Sequence, residues 1–229
     1  MYRRTEPDDY RVVDEWSDGV GWQAHPEEDG IRTSHAVRAD DGGVWLLDPL
    51  SAPGVTDCYD HLGEVAGVAV LSDYHARDAA EFARRHDVPV TVPTGLDRVA
   101  DEVDAPTRRV VDSLAGFELR RLNPLRAWRE TVAYREVDGT LYVPDVLNSG
   151  SAFTVGEERL ALPALLRLAP PRERFADIVP ERVLLGHGAG VFADAAAALD
   201  DAVENARRRF PRALVTSGPR ELKALLDAV

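Results

Sequence analysis

The 229-residue sequence predicts a single-domain α/β protein in which a pair of mixed β-sheets carries helices on the outside. Two hairpin turn signals support this class, Asp40-Asp41-Gly42-Gly43 near the N-terminus and Asp138-Gly139 further along the chain. Between them lies a strand, loop, helix, strand pattern typical of a βαβ unit. Hydrophobic residues make up 45% of the chain, and its length is near the size at which one core stops growing, so residues 1–229 are expected to form one domain.

The first half of the chain is predicted to begin with a hairpin over residues 32–50, whose second strand ends at Asp48-Pro49. Residues 68–71 form a short apolar run typical of a buried strand. A helix over residues 78–86 follows, with Asp78 in a position to cap it. Residues 88–92 complete the βαβ unit as its second strand.

The second half is predicted to contain another hairpin over residues 131–144, which brings Asp145 just past its second strand. A short apolar strand over residues 183–185 leads directly into Gly186-His187-Gly188. The remaining predicted elements are helices over residues 159–168, 192–210 and 220–228 and a Pro-rich loop over residues 169–174.

The charge balance is strongly acidic, with 40 Asp and Glu residues against 27 Lys and Arg residues, of which Lys223 is the only lysine. This composition is typical of proteins from salt-loving archaea, although a GC-rich genome alone also favours arginine. A halophilic, acidic protein is therefore the preferred interpretation. At low salt the formal charge of −13 repels nucleic acid, so no nucleic-acid partner is expected.

The sequence also limits the cellular location of the protein and the kinds of metal site that it can form. The longest apolar run, residues 65–71, is far too short to cross a bilayer, so a cytoplasmic protein without a membrane partner is expected. Cys58 is the only cysteine, which excludes an internal disulfide and a zinc cluster of thiolates. Any metal ion must then be held by histidines and carboxylates.

Polar side chains with metal-ligand or acid/base capacity follow three predicted strands at the point where each strand ends. Ligand sites in sheet proteins favour such positions, because the strands hold the loops rigidly. We therefore expect one site built from three segments. The candidate residues are Asp73, His75, Arg77 and Asp78 after the first strand, Asp145 after the second and His187 after the third.

These segments resemble the metallo-β-lactamase-fold hydrolases, and the resemblance covers most of the chain. Leu46-Leu47-Asp48 matches the Leu-Ile-Asp end of the family's opening hairpin. The family's Thr-His-x-His-x-Asp-His metal motif falls on residues 72–78, where only its second histidine is kept, as His75. The family's next histidine ligand, which precedes a Val-Ala-Tyr strand, falls on Arg126. Its bridging aspartate matches Asp145, and its last histidine matches His187.

The resemblance implies a four-layer αββα sandwich and a metal site that is only partly kept. His75, Asp145 and His187 are then expected to be both the metal ligands and the catalytic residues. Asp73 and Asp78 are substitutions that can still bind metal. Arg77 and Arg126 cannot bind metal, and the fixed charge of Arg77 disfavours two ions in one site.

Three functions remain open at this point. The leading hypothesis is a hydrolase for an ester, thioester or related small-molecule bond, with one zinc, manganese or iron ion. The alternative is a noncatalytic relative that binds a ligand or partner and needs no cofactor, in which Arg77 and Arg126 replace the metal charge and pair with Asp73, Asp78 and Asp145. The third is metal-free acid/base hydrolysis by His75 or His187.

The other histidines and one tryptophan have simpler explanations. His86 lies at the end of a predicted helix, where a cation is favoured. His25 and His61 are expected to be solvated. His35 could approach the site but has no supporting motif, and Trp128 could line a pocket, although packing is the commoner role.

Overall fold

The first sheet contains seven strands in sequence order, antiparallel from β1 to β4 and parallel from β4 to β7. The computed structural model describes residues 7–28, 31–125, 128–218 and 221. The strands are β1 (Arg11–Trp16), β2 (Gly19–Gln23), β3 (Ser34–Arg38), β4 (Val44–Leu47), β5 (Val65–Ala69), β6 (Val90–Pro93) and β7 (Thr107–Val110).

The second sheet contains five strands in the order β12-β11-β10-β9-β8. Its neighbours are antiparallel except for β11 and β12, which are parallel. The strands are β8 (Ser113–Leu114), β9 (Phe117–Leu125), β10 (Trp128–Arg135), β11 (Thr140–Val143) and β12 (Arg182–Leu185).

The helices are short. The α-helices are α1 (Ala79–His86), α2 (Asp97–Glu102), α3 (Arg172–Phe175), α4 (Ala195–Glu204) and α5 (Ala206–Thr216). Single turns of 3₁₀ helix occupy Val55–Cys58, Asp60–Leu62, Glu136–Asp138 and Ala164–Leu168. The longest described helix has 11 residues, and a transmembrane helix needs about 20. Within the described ranges, therefore, no helix could span a membrane.

Three apolar layers separate the sheets and the helices. The middle layer is formed by side chains from both sheets, including Leu47 and Leu71 from the first and Phe117, Tyr142 and Leu184 from the second. A second layer packs the outer face of the first sheet against α1 and α2. A third packs the outer face of the second sheet against α4 and the neighbouring loops. The result is the predicted αββα sandwich.

Both predicted hairpins and the βαβ unit are confirmed. The first hairpin turns through Gly42 at φ 87°, and the second turns through Gly139 at φ 63°. A side chain at Gly139 would also collide with Glu181, whose main-chain nitrogen lies 2.7 Å from the position of a Cβ atom. Glycine is therefore required there for both conformation and space.

Three predicted helices in the C-terminal half need correction or cannot be compared. Residues 159–168 are not one helix, because Ala161 pairs with Asn148 in an extended bridge and Pro163 would lie in the interior of such a helix, where it breaks the hydrogen-bond pattern. The helix over residues 192–210 is instead two helices, α4 and α5, that meet at Asn205. The predicted helix over residues 220–228 lies outside the described residues apart from Glu221.

Other differences concern strands and surface positions. Strands β1 and β2 were not predicted, since the glycines of β2 interrupt its apolar pattern although the strand is wholly buried. The predicted loop over residues 169–174 contains the start of α3. His25 is buried rather than solvated, whereas His61 is exposed as expected.

Asp138 joins three strands of the second sheet. Its carboxylate accepts hydrogen bonds from Arg135 at 2.8 Å, from the Thr140 hydroxyl at 2.7 Å and from Arg182 at 2.9 Å. Although burial by itself raises the pKa of this carboxyl, the hydrogen bonds from Arg135 and Thr140 hold it below its usual value. This residue therefore ties together β10, β11 and β12, two of which carry the site.

Asp138→Asn is expected to lower the free energy of unfolding by about 1.5 to 3 kcal/mol at neutral pH, because the charged hydrogen bonds are lost. A carboxyl whose folded pKa is depressed stabilises the fold above its unfolded pKa of about 3.9 and loses that contribution as the pH falls through the folded value. Urea unfolding at pH 7 and pH 3 measures the free energy of unfolding of both proteins. The difference in this free energy between wild type and variant should be smaller at pH 3. Equal stability at pH 7 would show that the carboxylate contributes nothing.

Candidate active site

The candidate site lies where two parallel pairs of strands end. In the first sheet, β4 leads into Asp48 and β5 leads into the loop with His75. In the second sheet, β11 leads into Asp145 and β12 leads into His187. Neighbouring parallel strands end at the same edge of their sheet. Because the two sheets pack face to face, these two edges lie next to each other.

Three of the predicted ligands converge on one point. His75 Nε2 lies 3.1 Å from Asp145 Oδ1, His187 Nε2 lies 3.0 Å from the same oxygen, and the two imidazole nitrogens are 3.3 Å apart. Within the described part of the chain, this is the one cluster of His, Cys, Asp and Glu that could hold a metal ion. We call these three residues the donor triangle.

The spacing of the donor triangle fits a metal ion. With bonds of about 2.0 to 2.1 Å, ligand atoms are about 3.3 Å apart around a tetrahedral ion and about 3.0 Å apart around an octahedral one. The three distances within the donor triangle, 3.0 to 3.3 Å, cover this range. One carboxylate and two imidazoles leave at least one coordination position open, as in catalytic sites.

His75 is oriented by a carboxylate behind it. Its Nδ1 lies 2.9 Å from Asp48 Oδ2, so the Nε2 atom faces the donor triangle. The same Asp48 oxygen accepts a 2.5 Å hydrogen bond from the Tyr142 hydroxyl, and its other oxygen accepts one from the Leu71 amide at 2.9 Å. A carboxylate that binds the far nitrogen of a histidine is the usual outer partner of a metal ligand.

Asp145 is also held on several sides. The Ser72 hydroxyl donates to Asp145 Oδ2 at 2.6 Å, which leaves Oδ1 for the two imidazoles. The main-chain amides of Asp145 and Val146 donate to the buried carboxylate of Glu130 at 2.9 and 3.1 Å. Asn148 donates to the main-chain oxygen of Asp145 at 2.9 Å. The position of Oδ1 is therefore fixed by both its side chain and its backbone.

Arg77 points into the site. One terminal nitrogen donates at 2.8 Å to the main-chain oxygens of both Thr33 and Asp48, and the other donates to Gly186 at 3.0 Å. The second nitrogen also lies 3.4 Å from His75 Nε2. The guanidinium thus joins three loops and places a fixed positive charge beside the donor triangle. Its backbone has φ 41°, a left-handed conformation that is uncommon outside glycine.

The acidic and basic groups shift one another's pKa values. Burial by itself raises the pKa of Asp145, but the two histidines beside it hold this pKa well below its usual value. Burial lowers the pKa of His187. For His75, burial and Arg77 act to lower the pKa, yet Asp145 and Asp48 outweigh them and raise it. The site therefore contains carboxylates that remain ionised and one histidine that favours its cationic form.

Charge in the site can balance without a metal ion. Ionised Asp48 and Asp145 supply two negative charges, since the net pKa shift of each is downward. Arg77 supplies one positive charge and protonated His75 a second. A divalent ion bound to the donor triangle would instead require neutral histidines, because the lone pair on Nε2 must face the metal. Metal and proton thus compete for the same atom of His75.

The other predicted ligands lie away from the donor triangle. Asp73 Oδ1 accepts a hydrogen bond from the Val99 amide at 3.3 Å, and Asp78 Oδ2 accepts one from the Ser51 amide at 2.7 Å. The predicted pairing of Arg77 with carboxylates needs correction, because the hydrogen bonds of its guanidinium go to main-chain oxygens and approach His75. Arg126 lies outside the described residues.

Three further candidates pack elsewhere. His35 is fully buried, with Nε2 3.1 Å from Asp14 Oδ2. His86 lies 3.2 Å from the hydroxyl of Tyr59. Trp128 is half-buried against the apolar layer outside the second sheet.

Sequence reasoning missed three residues that support the donor triangle, namely Asp48, Glu130 and Tyr142. Asp48 was noticed only as the end of a hairpin, and its position after Leu46-Leu47 was the one available signal. Glu130 and Tyr142 lie inside strands, where neither spacing nor motif marks them.

Comparison with known proteins supports the fold. A metallo-β-lactamase from Pontibacter korlensis matches 86% of this chain and 100% of its own, with 16% identity and a TM-score of 0.58. The mono-zinc form of the metallo-β-lactamase FIM-1 from Pseudomonas aeruginosa matches 89% of this chain and 99% of its own, with 11% identity and a TM-score of 0.56. The chain has the metallo-β-lactamase fold.

A third solved structure, TTHA1623 in a di-iron-bound form, matches 74% of this chain and 94% of its own, with 19% identity and a TM-score of 0.52. These identities support likeness of fold only. A scan against protein-family models finds no match, and neither does a sequence search of curated proteins.

Proposed function

We propose that this metallo-β-lactamase-fold protein binds one divalent metal ion at the donor triangle and hydrolyses an ester, thioester or related small-molecule bond. The observation that carries the proposal is the convergence of His75, Asp145 and His187, with donor atoms 3.0 to 3.3 Å apart. Its support is the hydrogen bonding of Asp48 to His75 and of Ser72 to Asp145, which orients the donor atoms.

A divalent ion bound there supplies Lewis-acid activation of water for hydrolysis. The chain's own residues provide the rest. Asp48 keeps the Nε2 atom of His75 turned toward the donor triangle, and Ser72 keeps Asp145 Oδ1 available. The side chain of Asp145 remains 14% exposed, whereas those of both histidines are 5% exposed, so a substrate can approach from the Asp145 side.

Arg77 favours one ion over two. Its positively charged guanidinium is held beside the donor triangle by three main-chain oxygens. A second divalent ion near it would add repulsion of several kcal/mol at an effective dielectric constant of about 20. The mono-zinc form of FIM-1 and the di-iron form of TTHA1623 support zinc and iron as the metals to test first.

The test of catalysis uses a panel of p-nitrophenyl esters and acyl thioesters, assayed with protein loaded with zinc, manganese or ferrous iron. We expect turnover that stops when a chelator removes the ion and returns when the ion is added back. Loaded protein with a full metal site but no turnover above the chelated sample on any ester or thioester would contradict the hydrolase proposal.

A second candidate function is the binding of a ligand or partner without metal and without catalysis. The observation that favours it is the Arg77 guanidinium 3.4 Å from His75 Nε2, together with the balance of two carboxylates by Arg77 and protonated His75. In this case the wild-type protein takes up no ion at any pH between 6 and 9. Uptake of about one divalent ion per chain at any pH in this range would exclude this candidate.

A further inference from the structure

Glu130 connects two of the loops that form the donor triangle. It lies on β10 and is only 1% exposed. Its main chain forms an antiparallel bridge with Ser72, and its carboxylate accepts hydrogen bonds from the amides of Asp145 and Val146. The hydrogen bonds of the bridge come from its neighbours, since Asp73 donates to Arg129 at 3.0 Å and Thr131 donates to Leu71 at 2.7 Å. Glu130 therefore lies beside the loop after β5 and binds the loop after β11 through its side chain.

These two connections act on the same ligand. Ser72, which the bridge to Glu130 positions, donates its hydroxyl to Asp145 Oδ2 at 2.6 Å. The Glu130 carboxylate accepts from the Asp145 amide at 2.9 Å. The side chain of Asp145 is thus fixed by Ser72 and its backbone by the Glu130 carboxylate, and the remaining oxygen faces His75 and His187.

The chemistry of this contact is unusual for a merely structural residue. An acidic group buried beside Asp145 is costly in its charged form, because burial and the repulsion of Asp145 raise the pKa of Glu130 well above its usual value. An apolar side chain would suit the middle of a buried strand better. Two consecutive main-chain N–H groups that converge on one carboxylate form a rigid clamp, because the planar acceptor fixes both peptide groups.

We propose that Glu130 is a positioning residue, whose carboxylate clamps the Asp145 loop so that Asp145 Oδ1 completes the donor triangle. The metal-binding part of this inference rests on the proposed function. The clamp itself does not, since it is a property of the loop with or without an ion.

Two substitutions of Glu130 distinguish a positioning role of its side chain from a purely electrostatic role. Glu130→Gln keeps the shape and one acceptor oxygen, but it places an amide N–H₂ at the position of Oε1, where the Val146 amide now finds an acceptor at 3.1 Å. Glu130→Asp keeps an acidic group but is too short to reach both amides. A positioning role predicts that both variants weaken cobalt or zinc binding by about 10- to 100-fold, as for outer partners of metal ligands. A purely electrostatic role predicts wild-type affinity for Glu130→Asp and would overturn the proposal.

Glu158→Gln is the matched control for loss of stability. Glu158 is another buried carboxylate that accepts a main-chain N–H, from Val155 at 2.8 Å, and it pairs with Arg167 away from the site. This variant is expected to lower the melting temperature and keep the wild-type metal affinity. Loss of affinity in Glu158→Gln equal to that in Glu130→Gln would show that the effect is general destabilisation.

Hydrogen exchange measured by NMR on the metal-free protein tests the clamp independently. In Glu130→Asp, whose side chain is too short to reach both amides, the amides of Asp145 and Val146 should exchange at least about tenfold faster, while those of Leu141 and Val143 on β11 remain as in the wild type. Unchanged exchange at Asp145 and Val146 would overturn the proposal even if metal binding changed. A wild-type protein that binds no metal would contradict the proposed function. Faster exchange at Asp145 and Val146 in the variant would still support the clamp.

Discussion

Asp145→Ala is expected to weaken metal binding by more than about 100-fold, since it removes a ligand rather than one of its outer partners. It also leaves Arg77 and protonated His75 with one fewer carboxylate to balance them. Removing one member of a buried charge pair costs about 3 to 5 kcal/mol, so the free energy of unfolding should fall by about that amount. Isothermal titration with zinc and denaturant unfolding measure the two effects separately.

The matched controls are Asp73→Ala and Asp78→Ala. Both residues were predicted as ligands, yet their carboxylates accept hydrogen bonds from Val99 and Ser51. Each substitution should therefore keep zinc affinity within a few-fold of the wild type while lowering stability. If either control loses as much affinity as Asp145→Ala, the metal does not bind at the donor triangle as described.

Arg77→Met should change metal affinity in the opposite direction. It removes the fixed positive charge 3.4 Å from His75 Nε2 while keeping a long apolar side chain. Because Coulomb repulsion from the guanidinium is lost, the affinity for a divalent ion should rise by at least about tenfold. Stability should fall by about 1 to 3 kcal/mol, since three buried main-chain oxygens each lose one hydrogen bond, although those of Asp48 and Gly186 keep others from Ser34 and Thr33.

Arg77→Lys is the control for charge. Lysine keeps the positive charge but cannot donate to three carbonyl oxygens in a fixed plane, so it should lose stability without gaining affinity. Weaker metal binding in Arg77→Met than in the wild type would mean that Arg77 supports the metal site through its loop contacts. The repulsion assigned to its charge would then be wrong.

The fold could be predicted from local signals where those signals were strong. The turns at Gly42 and Gly139 mark the hairpins, and the apolar run before His75 marks the centre of the first sheet. Strands β1 and β2 could not be predicted in this way. Their partners are set by packing, and β2 is buried on both faces despite two glycines and a glutamine. Tertiary burial, not local preference, forms these strands.

The site could be predicted in part for a similar reason. His75, Asp145 and His187 each follow an apolar strand, and strand ends at one edge of a sheet meet. The positions of Asp73 and Asp78 could not be inferred from spacing, because the loop after β5 turns sharply at Arg77, where φ is 41°. Glu130 could not be inferred either, since its role depends on hydrogen bonds from the amides of Asp145 and Val146, which are distant in sequence.

The most direct test of the account is the metal content of the wild-type protein. Protein purified without chelator and then equilibrated with zinc, manganese or ferrous iron should contain about one divalent ion per chain by elemental analysis. The same treatment of Asp145→Ala should leave only background metal. Wild-type protein that contains no divalent metal above background after this treatment would contradict the single-ion site.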